Sequence, residues 1–364
     1  MKAIAICCTP YQILNLINLS MNQLSDYKVD LIIVDHFEGY YDVYNKLKKS
    51  KVFNKIYLCK QKYITEQGLK EHKNLYFNIV ENYIKDFAVD KYNKFIIGNN
   101  LIISNILFAK LRKINKDLEV VLIEDGVGTY TYGFQELKTY VKYIRRLLGN
   151  PIIEKKDIKT IYVYDKELLC YEVGSNVKVV DLPKINKEVM DLSRYVFIDT
   201  KSNKNTYNDI IYLDQPFTSE GVNISEKDVL NSVIKCFGSN ISVKLHPRQD
   251  KDIYEGINAK ILKESNVIWE IELLQIDNLK DKTIITVNSS AAFTPILLYG
   301  ENINIILLNN ILNKSSNDSL VYRFINKFIK KYRSNIFLPN SYEELNKYKL
   351  KNKINIRERE NGEK

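Results

Sequence analysis

The chain has 364 residues, a length that suggests about two domains. Its 45% hydrophobic and 27% charged content excludes a disordered tail, a collagen-like fibre and a disulfide-stapled miniprotein. Lys and Arg number 54 against 44 Asp and Glu, a formal charge of +10, which favours anionic partners without choosing among nucleic acid, lipid headgroups and a nucleotide-sugar.

The opening, MKAIAICCTPYQ, reads as a strand over Lys2–Cys7. Its apolar stretch is too short for a signal peptide and runs into Thr9 and Pro10 rather than a cleavage site. Thr9-Pro10-Tyr11-Gln12 has the T-x-x-Q form of a capping box, with Pro10 at the first helical position. Ile13, Ile17, Met21 and Leu24 then follow at helical spacing. A strand–loop–helix start places its loop at the carboxyl edge of the sheet, where open α/β folds bind ligands.

Further strand-length runs rich in Ile and Val are Leu31–Val34, Phe95–Ile97, Val120–Ile123, Ile161–Val163, Ile210–Leu213, Ile241–Val243, Thr283–Val287 and Ile303–Leu308. Near-continuous apolar strands separated by helical segments indicate parallel sheets covered on both faces. They are too many for one compact sheet, and the reading is an α/β protein of two Rossmann-like domains facing a central cleft. The first spans 1–190 and the second 191–345, with a charged tail over 346–364. The boundary is expected near Asp181–Asn205, where Pro183 precedes the polar KSNKNTYND. No run approaches the roughly 20 apolar residues of a membrane span. The five cysteines are odd in number and form no C-x-x-C, so neither a zinc site nor a disulfide framework is expected, and a reducing, cytoplasmic compartment fits.

Val321–Phe337 places Phe324, Ile325, Phe328, Ile329 and Tyr332 on one side, with Arg323, Lys327, Lys330, Lys331 and Arg333 interspersed. The plain reading is a helix packed on its domain with a solvated basic face. The sharper one is an interfacial helix resting on anionic lipid.

Three polar clusters each directly follow a strand. After VVLI comes Glu124-Asp125-Gly126, two acids at a strand end followed by a glycine that lets the backbone turn; a simple turn or helix cap would use the same residues. After ISV comes Lys244-Leu245-His246-Pro247-Arg248. Of the three histidines, His36, His72 and His246, only the last stands at a strand end flanked by cations. Lys244 and His246 share a strand face and Pro247 stiffens the exit, a cluster suited to a phosphate leaving group. After TIITV comes Asn288-Ser289-Ser290, ahead of AAFTPILLYG. Two hydroxyls at a helix start form a phosphate cradle, although a serine cap would need only one of them. Asp250-Lys251-Asp252 matches D-x-D literally, but its lysine and the nearby Arg248 suit no divalent cation, and no metal is expected. No G-x-S-x-G elbow supports serine hydrolysis.

Acid-acid-Gly, then His-Pro, then Ser-Ser is the order found in bacterial sialyltransferases of glycosyltransferase-B architecture. Within them the chain resembles glycosyltransferase family 52, the lipooligosaccharide and capsule sialyltransferases, which are related to the bacterial polysialyltransferase group. Cys7, Thr9 and Gln12 match that family's first-loop C-x-T-x-x-Q; Glu124–Gly128 matches its acidic motif; His246-Pro247-Arg248-Gln249 matches H-P-R-Q. The resemblance implies inverting, metal-independent transfer of sialic acid from CMP-sialic acid, with no cofactor, to a glycan acceptor that can be lipid-linked. It implies that His246 binds the phosphate and serves as general acid, and that Ser289 and Ser290 hold the phosphate with Lys244 nearby. Thr9, Gln12 and Pro247 join the donor site, and Glu270, with Glu272 as runner-up, binds the ribose hydroxyls. The general base falls on Glu124 or Asp125, with Glu220 and Asp214 as alternatives, and related enzymes can pair as homodimers. A transferase using a CDP-linked polyol donor would want similar phosphate sites. A nucleic-acid-binding role is disfavoured, because the 26 tyrosines are scattered and interleave with arginine in no binding motif.

Overall fold

A computed structural model describes the chain apart from residues 61–83, 85, 86, 88, 137–151, 199–204, 220, 247, 263–266, 313–319 and 349–364. Two compact units emerge, Met1–Lys201 with Asn266–Ile271, and Ser202–Ser265 with Glu272–Lys364.

In the first unit the order is β1 (Lys2–Cys7), α1 (Pro10–Met21), β2 (Lys28–Val34), α2 (Tyr40–Ser50), β3 (Lys55–Cys59), β4 (Lys94–Ile97), α3 (Ile102–Ile114), β5 (Glu119–Ile123), α4 (Val127–Thr131), β6 (Ile158–Val163), β7 (Lys178–Asp181) and α5 (Lys187–Phe197). The strands form a parallel sheet ordered β3-β2-β1-β4-β5-β6-β7. Its central strands are apolar on both faces because both faces are covered: Ala3, Ile4, Leu31, Ile32, Phe95, Val120 and Val121 are fully buried. The unit continues past residue 190, because α5 packs on α1 and α2, and a boundary at 190/191 would cut through that helix.

The second unit contains β8 (Ile210–Leu213), α6 (Glu226–Phe237), β9 (Ile241–Lys244), β10 (Lys260–Ile261), β11 (Thr283–Thr286), β12 (Asn304–Leu307), α7 (Leu320–Lys331) and β13 (Ile336–Phe337). Its parallel sheet runs β10-β9-β8-β11-β12-β13. A core of Val229, Leu230, Val233, Ile241, Val243, Ile285 and Leu345 fills the space between α6 and the sheet. The start of the charged tail is packed on the unit, since Tyr348 stacks on Phe337 at 4.4 Å.

Helix α1 shows why the first loop is well placed. The Thr9 hydroxyl accepts the Gln12 N–H at 3.2 Å, and Pro10 stands in the first turn. Gln12 does not close the box on Thr9; its Oε1 reaches one residue further back, to the Cys8 N–H at 2.8 Å. The helix is buried from Gln12 to Ser20, and Asn15 and Asn18 on its polar side are hydrogen-bonded within the protein rather than solvated.

Helix α7 decides between the two readings of the basic segment. Phe324, Ile325 and Phe328 are buried, and Phe328 lies 4.5 Å from Phe293 between ring centroids. The apolar side therefore belongs to the unit's core, while Arg323, Lys327, Lys330, Lys331 and Arg333 are exposed. Phe328→Ala is expected to cost about 3–5 kcal/mol of stability, measured by urea unfolding. A loss below about 1 kcal/mol would mean that the ring does not hold α7 in place. Among the described residues no helix is long and apolar enough to cross a membrane.

Candidate active site

In the first unit, Glu124 and Asp125 follow β5, and the chain turns at Gly126, whose φ of +81° lies in the region that favours glycine. Glu124 is 1% exposed. Its Oε1 accepts the Tyr11 hydroxyl at 2.7 Å, and its Oε2 accepts the Tyr130 hydroxyl and the Tyr164 N–H at 3.0 Å. Asn15 donates to its carbonyl at 3.0 Å. Burial raises the Glu124 carboxyl above its ordinary range, opposed by the Tyr130, Tyr11 and Tyr164 donors and by Lys184. Asp125 is less enclosed, and burial raises its carboxyl also. The Gln12 side chain opposes this by favouring the charged form.

Gly98, just past β4, makes room for Gln12. A Cβ there would lie 2.7 Å from Gln12 Cδ and Nε2. Gly98→Ala is expected to displace Gln12 from the Cys8 amide and from Asp125, costing about 1–3 kcal/mol in a melting experiment and lowering turnover with it. Unchanged melting and turnover would show that Gln12 has slack to move.

In the second unit three neighbouring strands end in polar residues. Lys244 closes β9, but its Nζ lies 2.7 Å from Glu272 Oε2, with the two side chains only 15% and 4% exposed. Its charge is thus balanced inside the unit rather than presented to an anion. Asn205 holds the other Glu272 oxygen at 2.8 Å, which gives that acid a structural partner set. His246 Nδ1 accepts the Arg248 N–H at 3.2 Å. The ring proton assigned from that bond sits on Nε2, which makes Nε2 the donor. Ser289 caps no backbone amide with its hydroxyl, and Ser290–Phe293 is a 3-10 turn leading into a π turn over Pro295–Tyr299. The expected α-helix start is therefore a tighter and then wider coil, and its short first turn weakens the dipole argument for a cradle.

Glu270 is not in the second unit, where a ribose-binding role would place it. Asn266–Ile271 groups with the first unit, and the Glu270 charge acts on the buried Tyr11 hydroxyl. Pro247 and Glu220 lie outside the described residues. Asp250 accepts the Asp252 N–H at 3.1 Å and so serves a local turn. Among the described residues no three His, Cys, Asp or Glu side chains gather as a metal site.

The alpha-2,8-polysialyltransferase (POLYST) family model matches residues 3–309. The chain belongs to this family. The polysialyltransferase match covers every strand-end cluster described above, and it falls on the group to which the family 52 resemblance is related. No curated protein matches the sequence. The α/β-galactoside α-2,3-sialyltransferase from Photobacterium phosphoreum is similar in structure, with a TM-score of 0.50 at 14% identity, covering 93% of this chain and 98% of that one. A Listeria monocytogenes protein assigned as a UDP-N-acetylglucosamine 2-epimerase reaches 0.52 at 10% identity, covering 96% and 87%. At such identities the likeness concerns the fold, which is the glycosyltransferase-B architecture of two parallel-sheet α/β units. As a polysialyltransferase-family member the chain is a glycosyltransferase, and membership implies a nucleotide-sugar donor and a glycan acceptor.

Motif reading of this polysialyltransferase-family chain passes over Tyr11, Asn15, Tyr130 and Tyr164, which together enclose Glu124. Tyr11 lies inside the T-P-Y-Q signature, and its position one residue before Gln12 was a usable signal. Tyr164 carried none, because its place beside Glu124 depends on β6 pairing with β5.

Proposed function

We propose that the chain transfers sialic acid from CMP-sialic acid to a terminal galactose of a bacterial surface glycan, lipooligosaccharide or capsule, with inversion and without a required metal. The observation that carries this reading is a polysialyltransferase family match whose span includes an enclosed acid pair after β5 and a histidine and serine pair after β9 and β11.

The acceptor hydroxyl attacks the anomeric carbon, the bond from that carbon to the phosphate oxygen breaks, and CMP departs with the electron pair. Asp125 takes the hydroxyl proton. Glu124 has both oxygens occupied by Tyr11, Tyr130 and Tyr164, so it is the fixed partner that holds the loop, while the more accessible Asp125 carries the reaction. The Nε2 donor of His246 and the Ser289 and Ser290 hydroxyls stabilise the charge growing on the phosphate. Thermal shift with a nucleotide panel tests the donor. A ligand that binds only the folded chain at 100 times its Kd adds about 2.7 kcal/mol, and CMP is expected to give the largest shift. Leading stabilisation by CDP-glycerol would favour a polyol-phosphate transferase instead.

The enzyme works at the cytoplasmic face of the membrane, held by charge alone, since the apolar side of α7 is committed to the core. Charge reversal at Lys327, Lys330 and Lys331 is expected to release the chain from vesicles containing anionic lipid in a flotation assay. Undiminished flotation of the triple variant would count against attachment through α7.

A further inference from the structure

Strand β8 lies between β9 and β11 and is followed directly by Asp214-Gln215, whose side chains serve different neighbours. Asp214 is 3% exposed. Its own N–H donates to the Lys244 carbonyl at 3.0 Å, one carboxylate oxygen accepts the Tyr254 hydroxyl, and the other accepts the His246 N–H at 3.4 Å. The main-chain bond reaches the last residue of β9, and the two side-chain bonds reach the loop after β9 and the turn that follows it. Gln215 reaches to the other side. Its Oε1 accepts the Asn288 N–H at 2.9 Å and the Thr286 hydroxyl at 3.2 Å, and its Nε2 donates to Asn288 Oδ1 at 2.6 Å. The main-chain donor of Asn288 fixes the orientation of the amide, because only Oε1 can accept from it.

We infer that Asp214 and Gln215 are positioning residues for the phosphate site, Asp214 setting the loop that carries His246 and Gln215 setting the loop that carries Ser289 and Ser290. What those loops bind rests on the proposed function; how they are held does not. The two loops leave separate strands, and nothing in β9 or β11 alone spaces the imidazole from the hydroxyls. Adjacent residues just past the strand between them supply that spacing. An amide suits one side because it must both accept and donate, and a carboxylate suits the other because it meets only donors. Both oxygens of Asp214 accept hydrogen bonds from within the unit, as a positioning role requires.

Hydrogen exchange on the ligand-free full chain tests the arrangement. Gln215→Leu is expected to speed exchange at Asn288 through Ala291 while leaving Lys244 through Gln249 as in the wild type, and Asp214→Asn is expected to do the reverse. Gln215→Glu keeps an acceptor for the Asn288 N–H, and Asn288 can turn its own amide to donate, so this variant is expected to regain most of the protection. CMP titration is the second readout. Gln215→Leu is expected to weaken binding about three- to tenfold, with no further loss on adding Ser289→Ala but the full loss on adding His246→Ala. Loosening of both loops by either variant, or of neither, would overturn the inference. Selective exchange in a wild type that binds no CMP would uphold the positioning roles and overturn the donor reading.

Discussion

His246→Ala is expected to lower sialyl-transfer turnover by about two orders of magnitude or more. The ring follows β9, its main-chain N–H is held toward Asp214, and its Nδ1 is occupied by the Arg248 amide. Nε2 therefore carries the ring's N–H, which on the proposed reading donates to the departing phosphate. Losing one well-placed donor to developing charge costs about 10²–10³ in rate. The half-exposed ring lies outside the core formed by α6 and the sheet, so melting of the variant should match that of the wild type. Glutamine at this position can offer an N–H and is expected to recover part of the loss. Near-normal turnover of a folded His246→Ala variant would remove the histidine from the reaction.

Asp125→Asn has the second large effect, a fall of about 10²–10⁴ in kcat, the range of general acid–base assistance. The base must be ionised to act, so activity declines as pH drops through its pKa. Burial raises the Asp125 carboxyl, which places the acid limb of kcat/KM above the ordinary aspartate value of about 3.9. The asparagine variant should lose that limb along with the rate. Glu124→Gln tests the division of labour. It keeps the shape but gives Tyr11, Tyr130 and the Tyr164 amide a poorer acceptor, so a lower melting temperature should accompany its loss of activity. Full turnover in Asp125→Asn, with an inactive but fully stable Glu124→Gln, would reverse the two roles.

Interior strands were legible because burial on both faces writes unbroken Ile and Val runs into β1, β2, β4, β5, β8, β9, β11 and β12. The strands not read were β3, β7, β10 and β13, which are the four sheet edges. An edge strand pairs on one side and is covered less, so Lys178–Asp181 carries charges at both ends and no long apolar run. The candidate site divides in the same way. The positions of Glu124, Asp125, His246, Ser289 and Ser290 just past strand ends were legible because each follows an apolar run. Gln215 was not, since its importance depends on β8 lying between β9 and β11, an order that chain sequence does not display. The ion pair of Lys244 was not legible, because Glu272, its partner, lies far along the chain. Glu270 was placed in the wrong unit because the chain returns briefly to the first one before Glu272.

Transfer itself is the most direct measurement. The full chain is incubated with a galactose-terminated acceptor and either CMP-sialic acid or CDP-glycerol, and acceptor mass and released CMP are followed together. Sialyl transfer predicts a gain of sialic acid matched by CMP release from the first donor and no gain from the second. Acceptor modified only from CDP-glycerol, with CMP-sialic acid left intact, would contradict it.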